Sequence, residues 1–195
     1  MLKNKLKELF LSKLLVNATK TQRIAYIGVL TALLVVCNMF FEIKFADIQF
    51  SLTIFFSVFA GVLIGPLFGF VASFLGDLVG FLYNSAGFMY MPWIGIAMGC
   101  ASFIAGIIVN GFDFKIKGSI YIKLLLVSIL TFLLCTIAIN TTAFWILYSK
   151  GVSYFDYLIA RLIGKGQIWN SLVNYALLFI AVPLIERIKY FKVKF

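Results

Sequence analysis

Histidine is absent from the 195-residue chain, and with it go the commonest general base, the commonest metal ligand and any Ser-His-Asp or Cys-His dyad. Charge is scarce as well: Asp, Glu, Lys and Arg make up 12% of the residues, and only 7 are acids. Soluble domains carry about 25% charged residues, so a water-soluble enzyme is excluded. The 3 cysteines, Cys37, Cys100 and Cys135, each lie inside an apolar run without C-x-x-C spacing, which signals neither a disulfide framework nor a zinc site. They read as small hydrophobic fillers. No G-x-x-x-x-G-K-[ST] phosphate loop occurs, so uphill movement of a solute would need an ion gradient or an ATP-hydrolysing partner. No cofactor and no metal is expected.

What the chain has is apolar length. Residues of the A, V, I, L, M, F, W, Y and C types make up 63% of it, and the mean hydropathy is +1.07. Uncharged intervals run over 24–41, 48–76, 78–112, 124–149 and 166–185, and about 20 apolar residues in a helix span a bilayer. The net charge of +10 does not indicate nucleic acid, because the cations flank the apolar runs. Lys3, Lys5, Lys7, Lys13, Lys20 and Arg23 precede the first run, Lys115, Lys117 and Lys123 follow the interval ending at 112, and Arg187, Lys189, Lys192 and Lys194 close the chain. By the positive-inside rule all three groups are cytoplasmic.

That placement demands an even number of crossings between successive basic groups. Spans over 24–41, 93–110, 119–148 and 168–185 are direct readings of the hydropathy. The interval 48–83 satisfies the parity only as two helices divided at Gly65-Pro66, where glycine accepts unusual angles and proline opens the next helix. The prediction is an all-α polytopic membrane protein, a six-helix bundle with both termini cytoplasmic. Residues 1–22 form an amphipathic cytoplasmic segment, 23–188 the membrane domain and 189–195 a basic tail. In the first segment Leu2, Leu6, Leu9 and Phe10 share a face suited to the membrane interface. A cleaved signal peptide fits less well, since Lys13 and Lys20 interrupt the apolar stretch.

Glu42, Lys44 and Asp47 then fall in the first external loop, the uncharged NSAGFMYMP in the second, and Lys150, Asp156, Arg161 and Lys165 in the third. In GPLFGFVASFLGDLVG the residues Gly69, Ser73, Gly76, Asp77 and Gly80 share a face, and small residues there admit a second backbone. Gly95, Gly99, Ser102 and Gly106 give the next helix a similar side. Ala25, Gly28 and Ala32 form a small-residue seam on the first helix, which internal packing or a partner would explain.

Asp77 is the one acid at membrane depth, and an intramembrane carboxylate is by default a functional candidate; holding the bundle together is the structural alternative. Asn140, Thr141, Thr142, Trp145 and Tyr148 cluster at similar depth to Asp77, Tyr83, Phe88 and Tyr90. An aromatic interface belt accounts for part of this group, yet it also has the parts of an organic-ligand pocket: flat walls, a few polar groups and the cations Arg161 and Lys165 at the mouth. A carboxylate facing rings suits a planar heterocycle with adjacent N–H groups, and the cations suit an anionic tail. On this reading Asp77→Asn weakens ligand binding without unfolding the protein.

The pattern resembles the substrate-binding S components of energy-coupling factor (ECF) vitamin transporters, particularly the folate branch. The resemblance covers roughly residues 23–165 and rests on IGVLTALLVV, GPLFGFVASFLGDLVG, SAGFMYMPWIGIAMGCASFIAG, and INTTAFWILY followed by Arg161. It implies a non-catalytic bacterial plasma-membrane subunit that captures a vitamin from outside and docks on a transmembrane coupling protein with two ATPases. By the same resemblance Gly28 and Ala32, with Ala25, look like the seam contacting the coupling protein. Asp77, Asn140 and Arg161, with the less secure Lys165 and Gln167, match motif positions that the resemblance associates with substrate, and Tyr83, Phe88, Tyr90 and Trp145 are the candidate aromatics of the pocket. The stretch LIGKGQIWNSLVNY departs from the folate branch by lacking a proline at the start of the last helix, which bears on the ligand and not on the architecture.

Other readings are an S component for thiamine, riboflavin or pantothenate, and a non-transport six-helix scaffold. A membrane enzyme would lack the second acid-base group that most reactions need, and a self-sufficient ion-coupled carrier would normally show paired interrupted helices.

Overall fold

In lipid every backbone N–H and C=O must be satisfied internally, so long uncharged apolar runs fold as helices. The computed structural model describes residues 10–45, 48–83, 89–112 and 118–188. A short helix, α1 (Lys13–Asn17), is capped by the Ser12 hydroxyl, which accepts from the Leu15 N–H. α2 (Lys20–Phe40) opens on a capping box in which Thr19 and Gln22 satisfy each other's backbone N–H. Arg23 turns back to donate to the carbonyls of Val16 and Ala18, closing the end of α1.

A two-stranded antiparallel hairpin follows, β1 (Glu42–Phe45) and β2 (Ile48–Ser51), with Glu42 opposite Ser51. Then come α3 (Thr53–Ile64), α4 (Pro66–Tyr83), α5 (Pro92–Gly111), α6 (Ser119–Tyr148), α7 (Tyr154–Ile159) and α8 (Gln167–Arg187). Five of these, α2, α4, α5, α6 and α8, are long and apolar enough to cross a membrane. α3, at 12 residues, rises only about 18 Å at 1.5 Å per residue.

The division at Gly65-Pro66 is as predicted: Gly65 takes φ 85°, and Pro66 begins α4. The predicted outer part of α3 is different. The segments EIKF and IQFS alternate polar and apolar residues, the two-residue period of a strand. The first external loop is therefore built on a hairpin, and α3 starts only at Thr53.

α3, α4 and α5 pack with their backbones almost touching. A methyl placed on Gly61 would lie 2.7 Å from the Ser102 carbonyl carbon, one on Gly69 would lie 2.8 Å from the Gly61 Cα, and one on Gly106 would meet the Pro66 backbone at 2.5 Å. Ser102 bridges all three helices, donating to the Ser57 carbonyl and pairing with the Ser73 hydroxyl. Further along α4, Gly76 and Gly80 face Leu34 and Asn38 of α2. The small-residue stripes are thus the seams of this half of the bundle.

One end of the bundle gathers the chain's beginning and its inner turns. Ser12 donates to the Leu63 carbonyl, and the Lys13 N–H reaches Asn110 Oδ1 at 3.3 Å. Asn110 in turn donates to the Val62 and Gly106 carbonyls. Leu14 and Leu15 are buried here, while Phe10 is 41% exposed; Leu2, Leu6 and Leu9 lie outside the described residues. Lys123, one of the cations assigned to the cytoplasmic side, lies near the start of α6 and is buried at this end with its Nζ 3.0 Å from the Val109 carbonyl. Its four-carbon stem crosses apolar surface while the ammonium reaches the end of α5. Tyr121 stacks on Phe179, which brings the second half of α8 to the same end.

Candidate functional site

At the opposite half of the bundle α3, α5, α6 and α8 meet around a narrow cleft with free room for about 10 Å³. One wall is the small side of α5, Ala97 and Ala101, and the other is the middle of α6, Thr131, Cys135, Thr136 and Asn140. Tyr175 of α8 meets Thr131 at its floor, hydroxyl to hydroxyl at 3.0 Å.

The α6 wall depends on an irregular helix. Residues Phe132–Thr141 are wound as a π-helix, and Thr141 Oγ1 donates five residues back, to the Thr136 carbonyl, at 2.8 Å. In a straight α-helix, at about 3.6 residues per turn, Thr131 and Asn140 would face opposite ways. The wider i→i+5 winding, a feature frequent at functional sites, brings both to the cleft.

One turn toward the outer end, Trp93 stands above Ala97 on α5 and Phe144 above Asn140 on α6. Their rings meet edge to face at 5.8 Å, and the Arg161 guanidinium lies over Phe144 at 4.2 Å. Arg161 comes from the π-turn Ala160–Gly164 that continues α7. Three polar atoms converge on this region without a hydrogen-bond partner among the described residues: Trp93 Nε1, Asn140 Oδ1 and Arg161 Nε are all buried. Buried polar groups are nearly always paired, and leaving one unpaired costs about 1–3 kcal/mol. Of the three, one lines the cleft and the other two lie against Phe144 just outside it, a set that a polar ligand would satisfy. Burial pushes the Arg161 guanidinium below its ordinary pKa, and the hydrogen bond it donates to the Tyr157 hydroxyl opposes the shift; an anion beside it would offset the cost of burying its charge.

The predicted site residues divide. Asn140 and Arg161 belong to this region. Asp77 does not line the cleft: it accepts a hydrogen bond from the Tyr90 hydroxyl at 3.1 Å, and its Oδ2 lies close against Gly95 at the start of α5. Burial first, and the Asp77 carboxylate second, push the Tyr90 phenol well above its usual pKa, which keeps it a donor. Tyr83 is 66% exposed beside Phe40, and Lys165 is exposed. Trp145 points to the turn after α6, where its indole donates to the Val152 carbonyl at 2.9 Å and its ring meets Tyr154. Phe88 lies outside the described residues. Trp93, Phe144, Thr131 and Tyr175 were not singled out for this site from the sequence. The available signal was a run of polar residues inside otherwise apolar α6 and α8.

The fold defines a multi-pass helical membrane protein with a narrow, partly polar cleft inside its bundle. Residues 18–190 match the family described as "ECF-type riboflavin transporter, S component", and the chain belongs to that family. It is thus a substrate-binding subunit of the vitamin-transporter type. Among solved structures it is similar to one titled "Crystal structure of FolT bound with folic acid", with a TM-score of 0.62 and 23% identity over 80% of this chain and 91% of that one. No curated protein matches the chain.

Proposed function

We propose that the protein is the folate-binding S component of a bacterial ECF importer, taking folate from outside into the cleft between α5, α6 and α8. The observation that carries this reading is Arg161. A half-buried cation whose buried Nε has no partner among the described residues, at the outer end of an apolar cleft, calls for an anionic ligand group. Folate has a glutamate tail for that role and a flat head for the space between Ala97 and Asn140. The shared fold with the folic-acid-bound structure supports it. Riboflavin is the second reading, favoured by the family description; it has no anion to offer Arg161. The cleft has free room for only about 10 Å³, against roughly 300–1,000 Å³ in ordinary ligand pockets, so binding either vitamin requires α5 and α6 to move apart.

Titration of the detergent-purified protein with folic acid, riboflavin and thiamine decides the matter. Folic acid is expected to bind tightest; riboflavin winning by tenfold or more would replace the folate reading. Asp77→Asn is expected to change folic acid affinity less than about threefold, because Tyr90 donates to an amide oxygen as well as to a carboxylate and a neutral hydrogen bond is worth only about 1 kcal/mol. A larger loss would return Asp77 to the site.

The energy would come from a membrane coupling protein carrying two ATPases. Ala25, Gly28 and Ala32 are all exposed on α2, and a Cβ on Gly28 would meet nothing within 4 Å, a surface on which another helix approaches closely. Gly28→Leu is expected to leave ligand affinity and thermal stability at wild-type values while abolishing copurification with the ATPases and vitamin uptake by cells. Retained uptake would remove this seam from the interface.

A further inference from the structure

We infer that Tyr175 is a specificity-determining residue, its hydroxyl oxygen set by Thr131 to accept a hydrogen bond from an N–H group on the inserted head of the vitamin; the inference rests on the vitamin-binding reading above. A hydroxyl has one hydrogen to give. Thr131 gives its hydrogen to the Val127 carbonyl, 2.7 Å away one turn back on α6, so at 3.0 Å from Tyr175 it acts as the acceptor. The Tyr175 hydrogen is therefore spent on Thr131, and the phenol oxygen turns lone pairs toward the cleft that both residues line. Further up the same wall, Asn140 Oδ1 is a second buried acceptor with no partner among the described residues. The donors Trp93 Nε1 and Arg161 Nε stand one turn outward of this wall. The chamber is thus graded, with acceptors deep and donors near the mouth. A ligand with N–H groups on its ring and an anion on its tail enters head first. In this arrangement Tyr175, and not Asp77, reads the head.

The test is the ratio of affinities for folic acid and for analogues that lack one ring-side donor, 2-desamino-2-methylfolate and N3-methylfolate, in the wild type, Tyr175→Phe and Thr131→Val. Phenylalanine fills the same space without the oxygen; valine frees the Tyr175 hydrogen to point at the ligand. Both variants are expected to shrink the preference for folic acid over at least one analogue by about three- to tenfold, the worth of one neutral hydrogen bond. Should Tyr175→Phe fail to fold, Thr131→Val carries the measurement. If the wild type prefers riboflavin, the same ratio is read against N3-methylriboflavin. An unchanged ratio in a variant that still binds overturns the role of Tyr175 alone. Binding of no vitamin by the wild type overturns the reading beneath it.

Discussion

Arg161→Ala is expected to weaken folic acid binding about ten- to hundredfold while leaving an uncharged pterin nearly unaffected. A hydrogen bond to a charged group contributes about 1.5–3 kcal/mol, and each 1.4 kcal/mol is a factor of ten. The guanidinium is held over Phe144 at 4.2 Å, with Nε buried and unpartnered, so the site is organised before the anion arrives and little is lost in ordering it. Arg161→Lys is expected to recover only part of the loss, since an ammonium lacks the planar fork and the stacking on Phe144. Isothermal titration with folic acid and with pterin in parallel reads both. Equal losses for the two ligands would make Arg161 a structural residue.

Gly61→Ala is expected to destabilise the bundle by about 3 kcal/mol or more, the upper end of what overpacking costs. The added methyl would fall within 2.7 Å of the Ser102 carbonyl carbon. That atom is backbone, and it cannot step aside without breaking the hydrogen bonds of Ser102 to Ser57 and Ser73. Thermal unfolding in detergent, with Gly28→Ala as the unhindered comparison, checks this. A melting temperature equal to that of the wild type would mean that α3 and α5 do not approach as closely as described. The consequence reaches the ligand, since α5 supplies Ala97 and Ala101 to the cleft, and the Gly61 to Ser102 seam places it.

The membrane spans were legible because lipid imposes one simple rule, and the uncharged intervals obey it. The Gly65-Pro66 division was legible from backbone chemistry and the parity of the basic groups. The hairpin at 42–51 was legible in principle, but two short segments with a two-residue period are easily absorbed into a neighbouring apolar run. Lys123 shows where charge counting stops. A cation near a helix end reads as solvent-facing in a count of basic residues, whereas its long stem lets it be buried with Nζ on a carbonyl.

The candidate site was only half legible. Residue type and depth named Asn140 and Arg161, which the fold brings to the region of the cleft, and Asp77, a rare acid at depth, which the fold pairs with Tyr90. Which of the adjacent rings Phe144 and Trp145 faces the cleft is a matter of helix phase, and that phase is reset by the π-wound stretch Phe132–Thr141. No local pattern announces such winding.

By itself, then, the amino-acid order settled the solvent, the number of apolar segments, the break at Gly65-Pro66 and the stripes along which helices close. These follow from hydropathy and side-chain size, which each segment carries alone. Tertiary structure decided which groups meet: Thr131 with Tyr175, and Trp93 and Arg161 each with Phe144. Hydrogen-bond partners on different helices depend on rotation about each helix axis, and that rotation is set by packing between segments far apart in the chain.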